Sequence, residues 1–140
     1  MTEIDSSSVT AEAAKVAVLL IEDDARVRLA VRSLIDSASD LVLVGEASSE
    51  LEALELDQSL VPDVVLLDIL LPLVSDGMRV LGHLLERGRR VVAMSIRGGL
   101  GADVVAAGAH VFLEKDVRGG AAILGAIRAA ADRPVDSMDA

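Results

Sequence analysis

Short apolar runs rich in Val, Ile and Leu alternate along this chain with stretches where apolar residues recur every third or fourth position, and the alternation occurs five times. Residues 15–21, 41–45, 64–67, 90–94 and 111–113 read as strands. Several are apolar at almost every position, as expected of parallel strands covered on both faces. Helical spacing fills the intervals. Residues 25–37 carry Val27, Ala30, Val31, Leu34 and Ile35 as one stripe, with Asp24 placed as the N-cap. Ser49 and Glu52 have capping-box spacing at the head of 49–58. Residues 78–86 form a third helix, and 117–131 a fifth. The fourth, 102–107, is short and follows the Gly-rich stretch 97–101. Five βα units predict an α/β protein: a doubly wound, five-stranded parallel sheet with helices on both faces. The expected division is a flexible N-terminal segment (1–14), one domain (15–132), and a flexible tail or linker stub (133–140).

Composition narrows the chemistry. At 140 residues the chain is one domain's worth, and with 52% hydrophobic residues but Phe112 as its only aromatic, its core must be aliphatic. The absence of cysteine removes disulfides, thiolate metal sites and Cys nucleophiles, and fits a cytoplasmic location. The polar first 14 residues lack the basic and apolar regions of a signal peptide. The apolar runs are too short to span a bilayer, so no membrane association is expected. A net charge of −10, with 23 acidic residues against 13 Lys and Arg, argues against direct nucleic-acid binding by this chain.

In doubly wound sheets ligands bind beyond the carboxyl ends of the strands. After the first predicted strand come Glu22, Asp23 and Asp24; after the third, Asp68; after the fourth, Ser95; after the fifth, Glu114 and Lys115. Alone, Asp68 would read as a turn or cap residue, and Asp24 is read as a helix cap. Together, Glu22, Asp23 and Asp68 could not all stay ionised at close range without a cation, and oxygen-only ligands suit Mg²⁺. A carboxylate so placed is positioned to attack a phosphoryl donor. Lys115 would supply a point charge to a phosphoryl oxygen, and Ser95 a hydrogen bond.

The motifs resemble those of response-regulator receiver domains in two-component signalling. Val16-Ala-Val-Leu-Leu-Ile-Glu22-Asp23-Asp24 is similar to their acidic-pair strand, and Pro62-Asp63-Val-Val-Leu-Leu-Asp68-Ile-Leu-Leu-Pro72 to their phospho-acceptor strand. Ser95 stands where the family has Thr or Ser, and Gly108-Ala109-His110-Val111-Phe112-Leu113-Glu114-Lys115-Asp116 resembles the segment carrying its Lys. The Lys-Asp ending is most like the NarL/LuxR-type class. The resemblance covers roughly 16–131 and implies a flavodoxin-like (βα)5 receiver fold. It further implies Asp68 as acceptor of a phosphoryl group from a sensor histidine kinase, with Lys115 and Ser95 assisting. Asp23 and Asp68 would be direct metal ligands, Glu22 a ligand through water, and the Leu70 carbonyl would complete the set. Phe112 matches the aromatic switch that responds to the hydroxyl residue, so the surface of the last two βα units would change on phosphorylation. Such a protein catalyses only its own phosphorylation and dephosphorylation.

The remaining features are assigned more plainly. Arg26, Arg28 and Arg32 on the first helix either steer an acidic partner, the family's kinase among them, or form an ordinary polar face. Arg87, Arg89 and Arg90 read as a solvated turn, and His83 and His110 as structural or exposed. Gly99-Leu100-Gly101 is no dinucleotide fingerprint, because position 104 is Val. In the fifth helix, Ile123, Leu124 and Ile127 exceed what one sheet-facing stripe would hold, which suggests homodimerisation or a partner domain there. Two other readings are carried. One is a receiver-like interaction module that works without phosphorylation. The other is a phosphotransferase of the haloacid-dehalogenase type, which needs a second Asp where this chain has Leu70. The stretch after Lys115 is too short for a helix-turn-helix domain, leaving a stand-alone receiver or one from a longer regulator.

Overall fold

A computed structural model describes residues 15–95, 99–114 and 120–132. The expected flexible segments, 1–14 and 133–140, lie outside the described residues, as does Lys115. Strands β1 (Val16–Ile21), β2 (Leu41–Ala47), β3 (Val64–Asp68), β4 (Arg90–Ser95) and β5 (Val111–Glu114) alternate with helices α1 (Ala25–Asp36), α2 (Glu50–Leu60), α3 (Val74–Glu86), α4 (Gly101–Ala106) and α5 (Gly120–Asp132). All neighbouring strands are parallel, in the order β2-β1-β3-β4-β5. This is the five-stranded, doubly wound fold that the hydrophobic pattern predicts.

Alternation along the strands divides the core in two. Leu19, Ile21, Val65, Leu67, Val91 and Ala93 point to the face covered by α2, α3 and α4, where they meet Ala53, Val80, Leu81, Leu84 and Val104. Val18, Leu20, Val64, Leu66, Val92 and Met94 point to the face covered by α1 and α5, against Val31, Ile35, Ala126 and Ile127. Every residue of β3 is buried, which is why that central strand is apolar throughout until Asp68.

The helix caps follow local chemistry. Asp24 Oδ1 accepts the amides of Arg26 and Val27 at 2.8 and 3.3 Å. Ser49 Oγ accepts the Glu52 amide at 3.3 Å, while Glu52 reaches back past Ser49 to accept the Ser48 amide at 2.8 Å. Helix α3 starts four residues earlier than the predicted 78. Asp76 makes the early start: its Oδ2 accepts the Leu73 amide at 3.2 Å, although Leu73 itself has no capping side chain. Gly77, one residue before the predicted start, is therefore inside a helix. Its role is clearance, because a Cβ there would lie 1.8 Å from the Ile69 carbonyl oxygen.

The arginines before β4 are not a solvated turn. Asp57 of α2 is fully buried, and its two carboxylate oxygens accept from Arg89 Nε at 2.7 Å and Arg87 Nη1 at 2.9 Å. Gly88, with φ +79°, supplies the left-handed turn that points both arginines back at α2. The argument for a partner on α5 also changes. Ile127 is buried, and Ile123 and Leu124 are half-buried against the same core, so all three aliphatic side chains are accommodated by the sheet. What α5 presents outward is small or polar, including Ala121, Ala122, Gly125, Arg128 and Ala129.

Candidate functional site

Strand register sets the site. Ile21 is paired with Leu67 across β1 and β3, so Glu22 stands level with Asp68. Asp68 is itself paired with Met94, and the Ile69 amide donates to the Met94 carbonyl at 2.9 Å, so Ser95 lies one residue beyond. Because β1 and β4 flank β3, Asp68 has the acidic pair on one side and the Ser95 hydroxyl on the other. Ser95 is in turn paired with Glu114, the residue before Lys115.

Glu22 is 0% exposed, Asp68 3% and Ser95 0%, whereas Asp23 is open to solvent. Carboxylate oxygens of Glu22, Asp23 and Asp68 all lie within 4.8 Å of one another. Two buried carboxylates and a third at that range are mutually repulsive, and a hard divalent cation relieves the repulsion. The donor set is oxygen alone, which fits Mg²⁺ and disfavours metals that select sulfur or imidazole.

Backbone groups hold these side chains in place. The Leu70 amide donates to Asp68 Oδ1 at 3.0 Å, and the Asp24 amide to Glu22 Oε2 at 3.2 Å. The Glu22 amide continues the ladder to the Ala47 carbonyl at 2.9 Å, and its own carbonyl accepts Arg28 Nη1 at 2.8 Å. The loop after Asp68 is backed by α3 through the close approach at Gly77.

Of the residues expected to form the site, Glu22, Asp23, Asp68 and Ser95 come together at the strand ends, and Leu70 follows in the adjoining loop. Lys115 falls outside the described residues. Phe112 is half-buried on the α4 face, where the position a Gly101 Cβ would occupy is 3.1 Å from its ring. Helix α4 is only six residues long, the shortness expected from the glycines before it. Arg28 and Gly77 have structural roles at the site that sequence reading did not assign. Gly77 left a usable signal, a glycine in the first turn of an amphipathic stretch. Arg28 left none beyond its place in a basic cluster.

The sequence profile of the response regulator receiver domain family matches residues 18–128. The chain is 39% identical over 105 residues to the nitrate/nitrite response regulator protein NarL of Escherichia coli strain K12, covering 71% of this chain and 48% of that protein. It thus spans about half the length of this curated relative. The crystal structure of the response regulator domain of Thermotoga maritima CheB superposes with a TM-score of 0.78 at 28% identity, covering 86% of this chain and 98% of that one. The receiver domain of a NarL regulator from Mycobacterium tuberculosis gives a TM-score of 0.74 at 28% identity, with 85% and 98% covered. Among the described residues no helix is long and apolar enough to cross a membrane. The family match spans most of the chain and takes in the strand ends where the carboxylates converge, and the chain belongs to the response regulator receiver domain family.

Proposed function

We propose that the chain is a cytoplasmic phospho-acceptor switch, in which a sensor histidine kinase phosphorylates Asp68 and the surface of β4, α4, β5 and α5 changes in response. One observation carries this reading: buried Asp68, at the end of the central strand, has Glu22 and Asp23 oxygens within 4.8 Å. Asp23, Asp68 and the Leu70 carbonyl would hold Mg²⁺ directly, and Glu22 through water. When bound, Mg²⁺ offsets the carboxylate charge and that of the incoming phosphoryl oxygens.

The chain's own groups then do the following. The Leu70 amide holds one Asp68 oxygen and so aims the carboxylate. An Asp68 oxygen attacks phosphorus, the bond from phosphorus to the kinase imidazole nitrogen breaks, and the electron pair stays on that nitrogen. Lys115 places positive charge on a phosphoryl oxygen, and the Ser95 hydroxyl donates to another. Movement of Ser95 toward the phosphate gives Phe112 room to turn inward, and α4 repacks. The resemblance to the NarL/LuxR-type class implies that a DNA-binding output, if the chain has one, lies in a separate domain of a longer parent protein.

Phosphate-affinity gel mobility after incubation with acetyl phosphate and Mg²⁺ tests the reading, with wild type run beside Asp68→Asn. A Mg²⁺-dependent shifted band in wild type alone is expected. No shift in either, together with no response to beryllofluoride, would favour an interaction module that works without phosphorylation.

A further inference from the structure

Three arginines on α1 carry positive charge in an otherwise acidic protein, and two of them reach across to the ends of β1 and β2. Arg32 makes a bidentate pair with Glu46 of β2, Nε to Oε2 at 2.7 Å and Nη2 to Oε1 at 3.0 Å. Arg28 lies 4.0 Å from the same carboxylate but sends Nη1 to the Glu22 carbonyl at 2.8 Å. This second bond has a structural cause. The ladder partner of Glu22 is Ala47, the last residue of β2, and beyond it the chain turns to cap α2. Carbonyls at buried residues are normally paired, and Glu22 is fully buried. Arg28, in the second turn of α1 and folding its side chain toward the helix N-terminus, supplies the donor.

We infer that Arg28 is a positioning residue for the acidic pair, fixing the peptide between Glu22 and Asp23 so that both carboxylates point at Asp68. This rests on the reading of the acidic cluster as a Mg²⁺ site. The Glu22 amide and carbonyl are both held, by Ala47 and Arg28, and its side chain is held by the Asp24 amide. The two residues therefore have few ways to swing outward under their mutual repulsion. Glu46 lies 4.0 Å from Arg28 but is paired closely with Arg32, so it offsets only part of the Arg28 charge and the rest stays near the cluster.

Charge and position predict opposite results, which makes the idea testable. Removing a cation near three carboxylates should tighten Mg²⁺ binding if Arg28 is only a bystander charge. Removing the bond that holds the Glu22 carbonyl should weaken binding, by about tenfold at the lower end of what outer-shell partners of metal ligands contribute. The experiment is a MgCl2 titration of the ¹⁵N-labelled full chain followed by amide NMR, for wild type, Arg28→Gln, Arg28→Lys and Arg32→Gln. Weaker binding is expected for Arg28→Gln, partial recovery for Arg28→Lys, and near wild-type affinity for Arg32→Gln, which loses a Glu46 partner but not the Glu22 bond. Before Mg²⁺ is added, the Asp23 and Asp24 amide signals should move in Arg28→Gln and stay in Arg32→Gln. Unchanged or tighter Mg²⁺ binding by a folded Arg28→Gln protein overturns the inference. If wild type binds no Mg²⁺, the functional reading fails by itself. The Asp23 and Asp24 signals then decide the Arg28 role, and unmoved signals overturn it.

Discussion

Replacing Asp57 with Ala should cost the protein a large share of its stability, although it lies at the pole opposite Asp68. The side chain is 0% exposed and accepts two charge-assisted bonds, from Arg89 Nε at 2.7 Å and Arg87 Nη1 at 2.9 Å. Bonds of that kind contribute roughly 1.5–3 kcal/mol each. Their sum is an upper bound, because the arginines are not equally buried. Arg89 is 18% exposed and would be left with a poorly solvated charge, whereas Arg87 at 34% can turn toward water. Arg87 also keeps its bond to the Leu54 carbonyl, at 3.1 Å. Breaking a buried pair costs about 3–5 kcal/mol, and the exposure of Arg87 places this one near the lower end, about 3 kcal/mol. For a domain of this size that corresponds to a fall in Tm of roughly 10–15 °C. Urea unfolding followed by far-UV circular dichroism measures it without needing Trp. An Arg89→Met variant and the double variant close a cycle that isolates the coupling. A midpoint for Asp57→Ala within about 0.5 kcal/mol of wild type, the range of ordinary surface substitutions, would refute the argument that this pair ties α2 to the turn before β4.

Three further changes test other parts of the structure. Gly77→Ala puts a Cβ 1.8 Å from the Ile69 carbonyl oxygen; α3 must back away, with an expected loss of about 3 kcal/mol in urea unfolding and slower acetyl phosphate labelling of Asp68. Val61 is a β-branched, exposed residue at φ +47° where α2 ends, so Val61→Gly should stabilise the protein by about 1 kcal/mol, read as a higher urea midpoint. Asp40 accepts from Arg128 at 2.7 and 2.9 Å, and that hydrogen bonding holds its carboxyl below the usual range. A lowered folded value means stability that is present above the ordinary carboxylate pKa and lost as pH falls through the lowered one. Melting curves of wild type and Asp40→Asn should therefore differ at neutral pH and converge in acid.

Much of this architecture was legible because local and global signals agree. The five strands are apolar where both faces are covered, and Asp24 and Ser49 cap as their spacing predicts. The carboxylates at the strand ends were legible for a topological reason: parallel strands place their carboxyl ends at one pole, so residues after separate strands become neighbours. What was illegible depended on contacts that no periodicity encodes. Asp57 sits four residues after buried Ala53 on the same helix face, and an acid on an apolar stripe is itself a sign of a buried partner. The partners, Arg87 and Arg89, are 30 and 32 residues away in sequence, and side by side they read as an exposed turn. Helix α5 was misjudged for a related reason. A helix with alanines between its aliphatics packs close to the sheet, so Ile123, Leu124 and Ile127 all reach the core.

The ties are unevenly distributed, and that unevenness bears on how a signal at Asp68 would spread. Helices α2 and α3 are joined at the lower pole by Asp57 with its two arginines. At the upper pole Arg79 of α3 joins them through Glu50 of α2, with Nε at 3.0 Å, while its Nη2 stays within α3, 2.7 Å from Asp76. Helix α1 is fastened to β1 and β2 by Arg28 and Arg32, and α5 to the β2 approach by Arg128. Helix α4 has six residues, no side-chain cap, and Val104 as its one buried side chain. A helix of that length has little stability of its own and holds its shape through packing. Its contact with β5 includes the Phe112 ring, pressed close to Gly101. Among the described helices, displacement of a neighbouring strand end should therefore meet more resistance from those clamped by side-chain ties than from α4 and its Phe112 contact.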